Sequence, residues 1–155
     1  MAGFEPLTGH RMKMYRNTGT PSVPVWAVVQ EVGDVSISDL ARGLAELKRR
    51  GKDFTKNLVT LIQSIAVEFR LHYGLGATAY TAIRNAFFNG TVEEWAIMGG
   101  DITSAGVEGL RCPFVVEQFP FDQPLEEVAG HDVRLAIGFM VVSSVEIDPS
   151  WYVVA

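Results

Sequence analysis

The sequence is poor in the residues that usually announce chemistry. Its 155 residues hold one cysteine, Cys112, and three histidines, His10, His72 and His131. A single thiol excludes an intramolecular disulfide and a four-cysteine zinc site. No histidine stands at metal-ligand spacing from another or from Cys112, so each is expected to be a surface or structural residue. There is no Gly-X-Ser-X-Gly turn, and Gly74-Leu75-Gly76 lacks the third glycine of a dinucleotide fingerprint. Glu93-Glu94 and Glu126-Glu127 are adjacent pairs. Neighbours on a strand face opposite sides, so neither pair makes a dyad alone, and solvated faces are expected for both. No catalytic residue, cofactor or metal site is expected, and an enzyme is the least supported class.

Two further scarcities bear on location and partners. No apolar run is long enough to span a bilayer, and Met1-Ala2-Gly3-Phe4-Glu5 lacks the basic start and apolar run of a signal peptide. A soluble product made in a cytoplasm, with no membrane anchor, is expected. Basic residues are few after Asn57: only Arg70, Arg84, Arg111 and Arg134, while nine of the 13 Lys and Arg precede it. The net charge of −5 argues against a protein that neutralises phosphates. The asymmetry suits head-to-tail contact between copies, a basic loop on one meeting an acidic surface on the next. Charges that merely decorate loops are the alternative.

What is present is alternation. Hydrophobic residues make up 48% and charged residues 20%, the balance of one globular domain able to bury a core. From Thr55 to His72, Val59, Leu61, Ile65, Val67, Phe69 and Leu71 share one parity, opposite Thr60, Ser64, Glu68, Arg70 and His72. This predicts a long strand with one dry and one wet face. Gln63 and Ile62 break the two faces and point to a bulge or interface mid-strand. Val107 to Phe119 alternates likewise, with Leu110, Cys112, Phe114 and Val116 on one face. Leu125 to Val142 reads as the last long strand, with Val133, Leu135, Ile137, Phe139 and Val141 aligned. Shorter strands are expected at Met12–Tyr15, Val25–Ile37 with a bulge near Gly33-Asp34, and Thr91–Met98.

Two segments break the strand period. From Gly74 to Gly90, Tyr80, Ile83 and Phe87 recur at helical spacing, with Asn89-Gly90 as the stop. Ser38 to Phe54 also reads as partly helical: Ser38-Asp39 resembles a cap and Leu40, Leu44 and Leu47 follow at helical spacing. Its basic run Lys48-Arg49-Arg50-Gly51-Lys52 predicts a protruding loop, either a solvated loop or a contact. The expected fold is mainly β: two packed antiparallel sheets, a sandwich or barrel, with one flanking α-helix. Residues 1–155 form a single domain with an N-terminal arm (about 1–11), the protruding loop (about 38–54) and an apolar C-terminal extension (about 143–155).

Several pieces, in order, resemble the tail tube (major tail) proteins of long non-contractile, siphophage-type tails. They are Met12-Lys13-Met14-Tyr15-Arg16-Asn17-Thr18-Gly19-Thr20 with Pro24-Val25-Trp26, and Ala82-Ile83-Arg84-Asn85-Ala86-Phe87-Phe88-Asn89-Gly90-Thr91 with Ala96-Ile97-Met98 and Gly100-Asp101-Ile102. Gly109-Leu110-Arg111 through Phe119 and Pro124-Leu125-Glu126-Glu127 complete them. The resemblance spans roughly Met12 to Val142 and rests on order and spacing. It implies a structural virion protein, assembled in host cytoplasm, whose hexameric rings stack into a tube with an acidic lumen. Genomic DNA leaves through that lumen without specific binding, and the other partners are tape-measure, terminator and distal tail proteins. Inter-subunit contacts are then expected at Arg49, Arg50, Lys52, Phe54 and Trp151, and lumen-facing carboxylates at Glu68, Glu127 and Asp132. The apolar end, Trp151 to Ala155, is expected to dock on a neighbour.

Tube proteins of contractile tails, injection systems and gene-transfer particles, and tail terminator rings, share this pattern. A small ligand-binding β-barrel, with Phe69, Phe114 and Phe139 lining its pocket, is the reading from another class.

Overall fold

The computed structural model describes residues 13–29, 32–72, 77–122, 125 and 129–155, without the side chains of Gln63 and Asp122. The strands are β1 (Lys13–Asn17), β2 (Trp26–Val28), β3 (Val32–Leu47), β4 (Lys56–His72), β5 (Glu93–Met98), β6 (Glu108–Gln118), β7 (Phe121–Asp122), β8 (Gly130–Ile137), β9 (Val141–Val142), β10 (Val145–Glu146) and β11 (Ser150–Val153), with one helix, α1 (Thr78–Asn89). Every strand pairing is antiparallel. Nine strands form one sheet in the order β2-β1-β5-β6-β8-β4-β3, with β11 added to β6 and β7 to β8, and β9 and β10 form a second, two-stranded sheet.

The large sheet curls on itself. In a flat sheet β5 and β4 would lie three strand spacings apart, about 14 Å. The rings of Trp95 on β5 and Phe69 on β4 nevertheless lie 6.1 Å apart. Curling lets the dry faces of distant strands share one core, in which Met14, Val67, Phe69, Leu71, Trp95, Cys112, Phe114, Val133 and Leu135 are buried together. Helix α1 contributes Tyr80, Ile83 and Ala86 to that core. It ends as expected at Gly90, whose φ of 66° opens the left-handed turn that lets Thr91 N bond back to Ala86 O at 3.0 Å. A second, smaller core of Tyr15, Ala96, Met98 and Ile102 lies on the other side of β5. The mainly β, antiparallel fold with one flanking helix is the one the sequence predicts.

Two expectations are corrected. Ser38 to Leu47 is strand, the distal part of β3, and not helix. Leu40 and Leu44 are four apart, an even step that suits one face of a strand as well as one face of a helix. Gly43 weakens a helix, and the adjacent β4, rich in Val, Leu and Ile, offers a ladder from Leu40↔Ile65 to Leu47↔Lys56. Irregularities at Val32/Val35 and Ala41/Arg42 place bulges at Gly33-Asp34 on β3 and at Gln63 on β4, where the sequence breaks pattern.

The last long strand stops at Ile137. At Gly138 the chain packs so closely on Val92 that an added Cβ would lie 2.7 Å from its Cγ1. Gly138 N donates to Pro113 O, and the chain then leaves the sheet. The apolar parity therefore runs on into solvent. The C-terminal segment pairs within its own chain as β11, with Trp151 opposite Leu110 on β6, and the Trp151 side chain stays exposed.

Candidate assembly surface

The β3–β4 hairpin extends past the curled core as a two-stranded arm. On its β8 side, β4 is paired only from Ala66 to His72 among the described residues, which leaves one edge of Lys56–Ile65 open there. The outer edge of β3 is open along its length among the described residues. Leu44 and Val59 are cross-strand partners and both are exposed, as are Leu40, Leu58, Leu61 and Ile62. Consecutive strand residues point to opposite sides, so both faces of the arm carry apolar side chains. Leu61 is 81% exposed. The broken pattern at Ile62 thus belongs to a ribbon that exposes apolar side chains on both sides.

The tip of the arm turns at Gly51, with φ of 81°, and Lys52 N bonds to Arg49 O at 3.3 Å. Arg49, Lys52, Asp53, Phe54 and Lys56 surround a hollow of about 250 Å³. The predicted contact residues Arg49, Lys52 and Phe54 are therefore brought together, with Arg50 in the turn itself. Phe54 is 80% exposed. Trp151 is exposed too, but on β11 and outside this cluster.

The predicted lumen residues Glu68 and Asp132 share the wet face of β4 and β8. Glu68 lies opposite Arg134, and Asp132 opposite Arg70. Arg134 donates to Glu68 and, at 3.0 Å, to Glu117; Arg70 donates to Asp132 at 3.1 Å. The hydrogen bonds to Glu68 and then Glu117 raise the pKa of Arg134. Three carboxylates and two guanidiniums make this face a ladder of ion pairs with a small negative excess. Glu127 lies outside the described residues, as do Glu126 and His10.

Other charged groups brace the fold. Glu94, expected in solvent, is 4% exposed. Its Oε1 accepts from Arg111 at 2.8 Å and from Asn17 at 2.9 Å. Asn17 Oδ1 in turn accepts the backbone N–H groups of Gly19 and Val25, which shapes the β1–β2 loop. The Arg111 guanidinium lies over the rings of Trp26 (5.2 Å) and Tyr152 (5.5 Å), tying β2 and β11 to β6. A buried carboxylate needs such partners. Sequence reasoning missed this network; its signal was Arg111 on the wet parity of an otherwise apolar strand.

His131 is a core residue. Its Nε2 lies 2.9 Å from Tyr80 Oη, and its ring stacks on Phe119 at 3.8 Å. Burial pushes its pKa down, against the opposing backbone of Phe119 and Pro120. Burial also pushes the Cys112 thiol up to about 12.

The three phenylalanines proposed for a ligand pocket do not converge. Phe69 and Phe114 fill the core, and Phe139 is 72% exposed. A cleft of about 940 Å³ lies elsewhere, between β1–β2 and the start of β3, with Met14, Trp26, Val29, Val35 and Asp101 on its walls. Among the described residues no group of three His, Cys, Asp or Glu is arranged to hold a metal ion.

No family model and no curated protein matches this sequence. Solved structures match its fold. The tail of an empty gene transfer agent particle, refined helically with C6 symmetry, superposes with a TM-score of 0.67 at 13% identity, covering 86% of this chain and 95% of that one. The tube-terminating cap of the anti-feeding prophage gives 0.68 at 12% identity, covering 99% and 95%. The SPP1 tail tube gives 0.65 at 13% identity, covering 85% and 76%. The antiparallel sheet of this chain, curled over one helix, thus has the fold of these tail, tail-tube and tube-cap structures.

Proposed function

We propose that this chain is the repeating structural subunit of a phage tail tube, of the long non-contractile, siphophage type. Hexameric rings stack into a tube that forms part of the virion and conducts genomic DNA during ejection. The observation that carries this is the arm. A two-stranded ribbon with apolar side chains on both faces and open edges is unstable alone in water and prone to pair with another chain. A subunit that repeats turns that liability into cohesion. The tail-tube fold supports the same reading, and so does the chemistry of the described residues, which serves packing and bracing.

In this account Arg49, Arg50, Lys52 and Phe54 at the tip, with Trp151 on β11, meet neighbouring copies. The wet face bearing Glu68 and Asp132, with Glu127, lines the lumen. Its arginine partners make the lumen only weakly acidic, enough to disfavour adhesion of a polyanion. Assembly in host cytoplasm around a tape-measure protein, between terminator and distal tail proteins, completes the reading.

One observation favours a second reading. The tube-terminating cap of the anti-feeding prophage aligns over nearly all of this chain, so this chain could end a tube instead of building it. The tube of a contractile tail, injection system or gene-transfer particle is the nearest further variant. Electron microscopy of the purified protein tests these. Stacked rings of indefinite length support the tube subunit, isolated rings support the cap, and monomers alone at high concentration overturn both. Sheath subunits in the native particle would assign it to a contractile system. Arg50→Glu should shorten the tubes without unfolding the domain; unaltered tubes remove Arg50 from the stacking contact.

A further inference from the structure

We propose that the β9–β10 hairpin is the seat on which the β3–β4 arm of a neighbouring copy lies. This rests on the subunit reading and adds to it the place on the partner that the arm meets.

The hairpin is poorly supported by its own chain. β9 and β10 bond to each other and to no other strand among the described residues. One further rung, Ile147 N to Met140 O at 2.9 Å, extends the pair. A lone two-stranded hairpin is marginal in water. Its turn is also costly, because Ser143 (φ 52°) and Ser144 (φ 63°) both adopt the left-handed conformation that asparagine and glycine take more cheaply. Phe139, Val141 and Val145 stand exposed around it. A short, strained, apolar projection of this kind needs a cover.

Three features select the arm of a second copy as that cover. The first is form: the arm is itself a ribbon with apolar faces and open edges, so the two elements relieve the same deficit in each other. The second is place. The β4–β8 ladder ends where Ala66 meets Ala136, the hairpin follows in the chain from Val141, and among the described residues it does not pair with β4 of its own chain. The third is charge. Residues 38–56 carry six basic groups (Arg42, Lys48, Arg49, Arg50, Lys52, Lys56) against three acidic ones, a net of +3. Residues 137–155 carry Glu146 and Asp148 and no Lys or Arg, a net of −2. Opposite patches steer association and fix register. Arm and seat are different surfaces, so the contact is heterologous. It either closes into a ring or continues as a helix, as a tube requires.

The test places a photo-crosslinker at the seat, Phe139→p-benzoylphenylalanine, with Val145→p-benzoylphenylalanine as an independent second position. Isotopically heavy and light copies are mixed, assembled and irradiated, and crosslinked peptides are sequenced by mass spectrometry. Crosslinks joining heavy to light chains within residues 38–62 are expected at both positions. Crosslinks that stay within one chain, or that reach another region of the partner, overturn this inference and leave the subunit reading intact. Failure of the unmodified protein to assemble overturns both. In addition, Phe139→Ser should raise the concentration needed for assembly about tenfold; an unchanged threshold also removes the seat.

Discussion

Leu44 and Val59 face each other across the β3–β4 ladder, and both stand in solvent. Fully burying a side chain of this size stabilises by about 1.5–3 kcal/mol, and each 1.4 kcal/mol is a factor of about ten in association. Leu61→Ser or Val59→Ser should therefore raise the threshold concentration for assembly by roughly 10- to 100-fold. The melting temperature of the dilute monomer should hardly change, because neither side chain is in the core. Light scattering against concentration, with thermal melts alongside, reads both. A large loss of monomer stability would place these side chains in the fold itself.

The Glu94–Arg111 pair makes the opposite prediction. Removing Arg111 leaves a buried carboxylate with only Asn17 beside it, and breaking a buried pair costs about 3–5 kcal/mol. Arg111→Met should destabilise the monomer by roughly 3 kcal/mol in urea titrations. Adding Glu94→Gln should recover part of the loss, since the uncompensated charge is then gone. A single-variant loss under about 1 kcal/mol, the level of a surface pair, would contradict the account.

His131 couples stability to pH. Its pKa in the fold lies below the ordinary 6.5, chiefly through burial. The unfolded chain therefore takes up its proton first as pH falls. The contribution is fully present above pH 6.5 and is lost as pH drops from there towards the folded value. The melting temperature should fall between pH 7.5 and pH 5, and His131→Gln should flatten that fall while lowering stability at pH 7.5 through loss of the Tyr80 bond. Identical slopes in the two proteins would show that His131 does not carry the dependence.

Cys112 should be inert in the folded protein. It is fully buried, and a thiol pushed up to about 12 holds almost no thiolate at neutral pH. Ellman's reagent should react only at the rate of unfolding and fully in denaturant. Rapid reaction in buffer would require an open route to β6.

Helix α1 is legible in the sequence because Tyr80, Ile83 and Phe87 recur at helical spacing, with Asn89-Gly90 to stop it. The inner half of β4 is legible because its alternation coincides with burial. The outer half alternates too, yet Val59 and Leu61 are exposed. Alternation says which residues share a face but not what covers it, and here no described residue of the same chain covers it. The distal part of β3 misleads because a four-residue step fits both periods, and the choice between them is made by the open edge of β4, a tertiary fact. The basic tip and the Glu68 and Asp132 face could be named from charge and parity alone. The arginines that neutralise that face, and the burial of Glu94, depend on cross-strand register, which one strand's sequence does not contain.

The central claim is that another copy covers the β3–β4 arm. Hydrogen exchange of the arm amides, residues 38–65, tests this most directly when followed from dilute monomer to concentrated protein. The account predicts fast exchange in the monomer and strong protection on assembly, spread along both arm strands, while core amides of β5 and β6 stay protected throughout. Arm amides that exchange equally fast in the assembled state would contradict it.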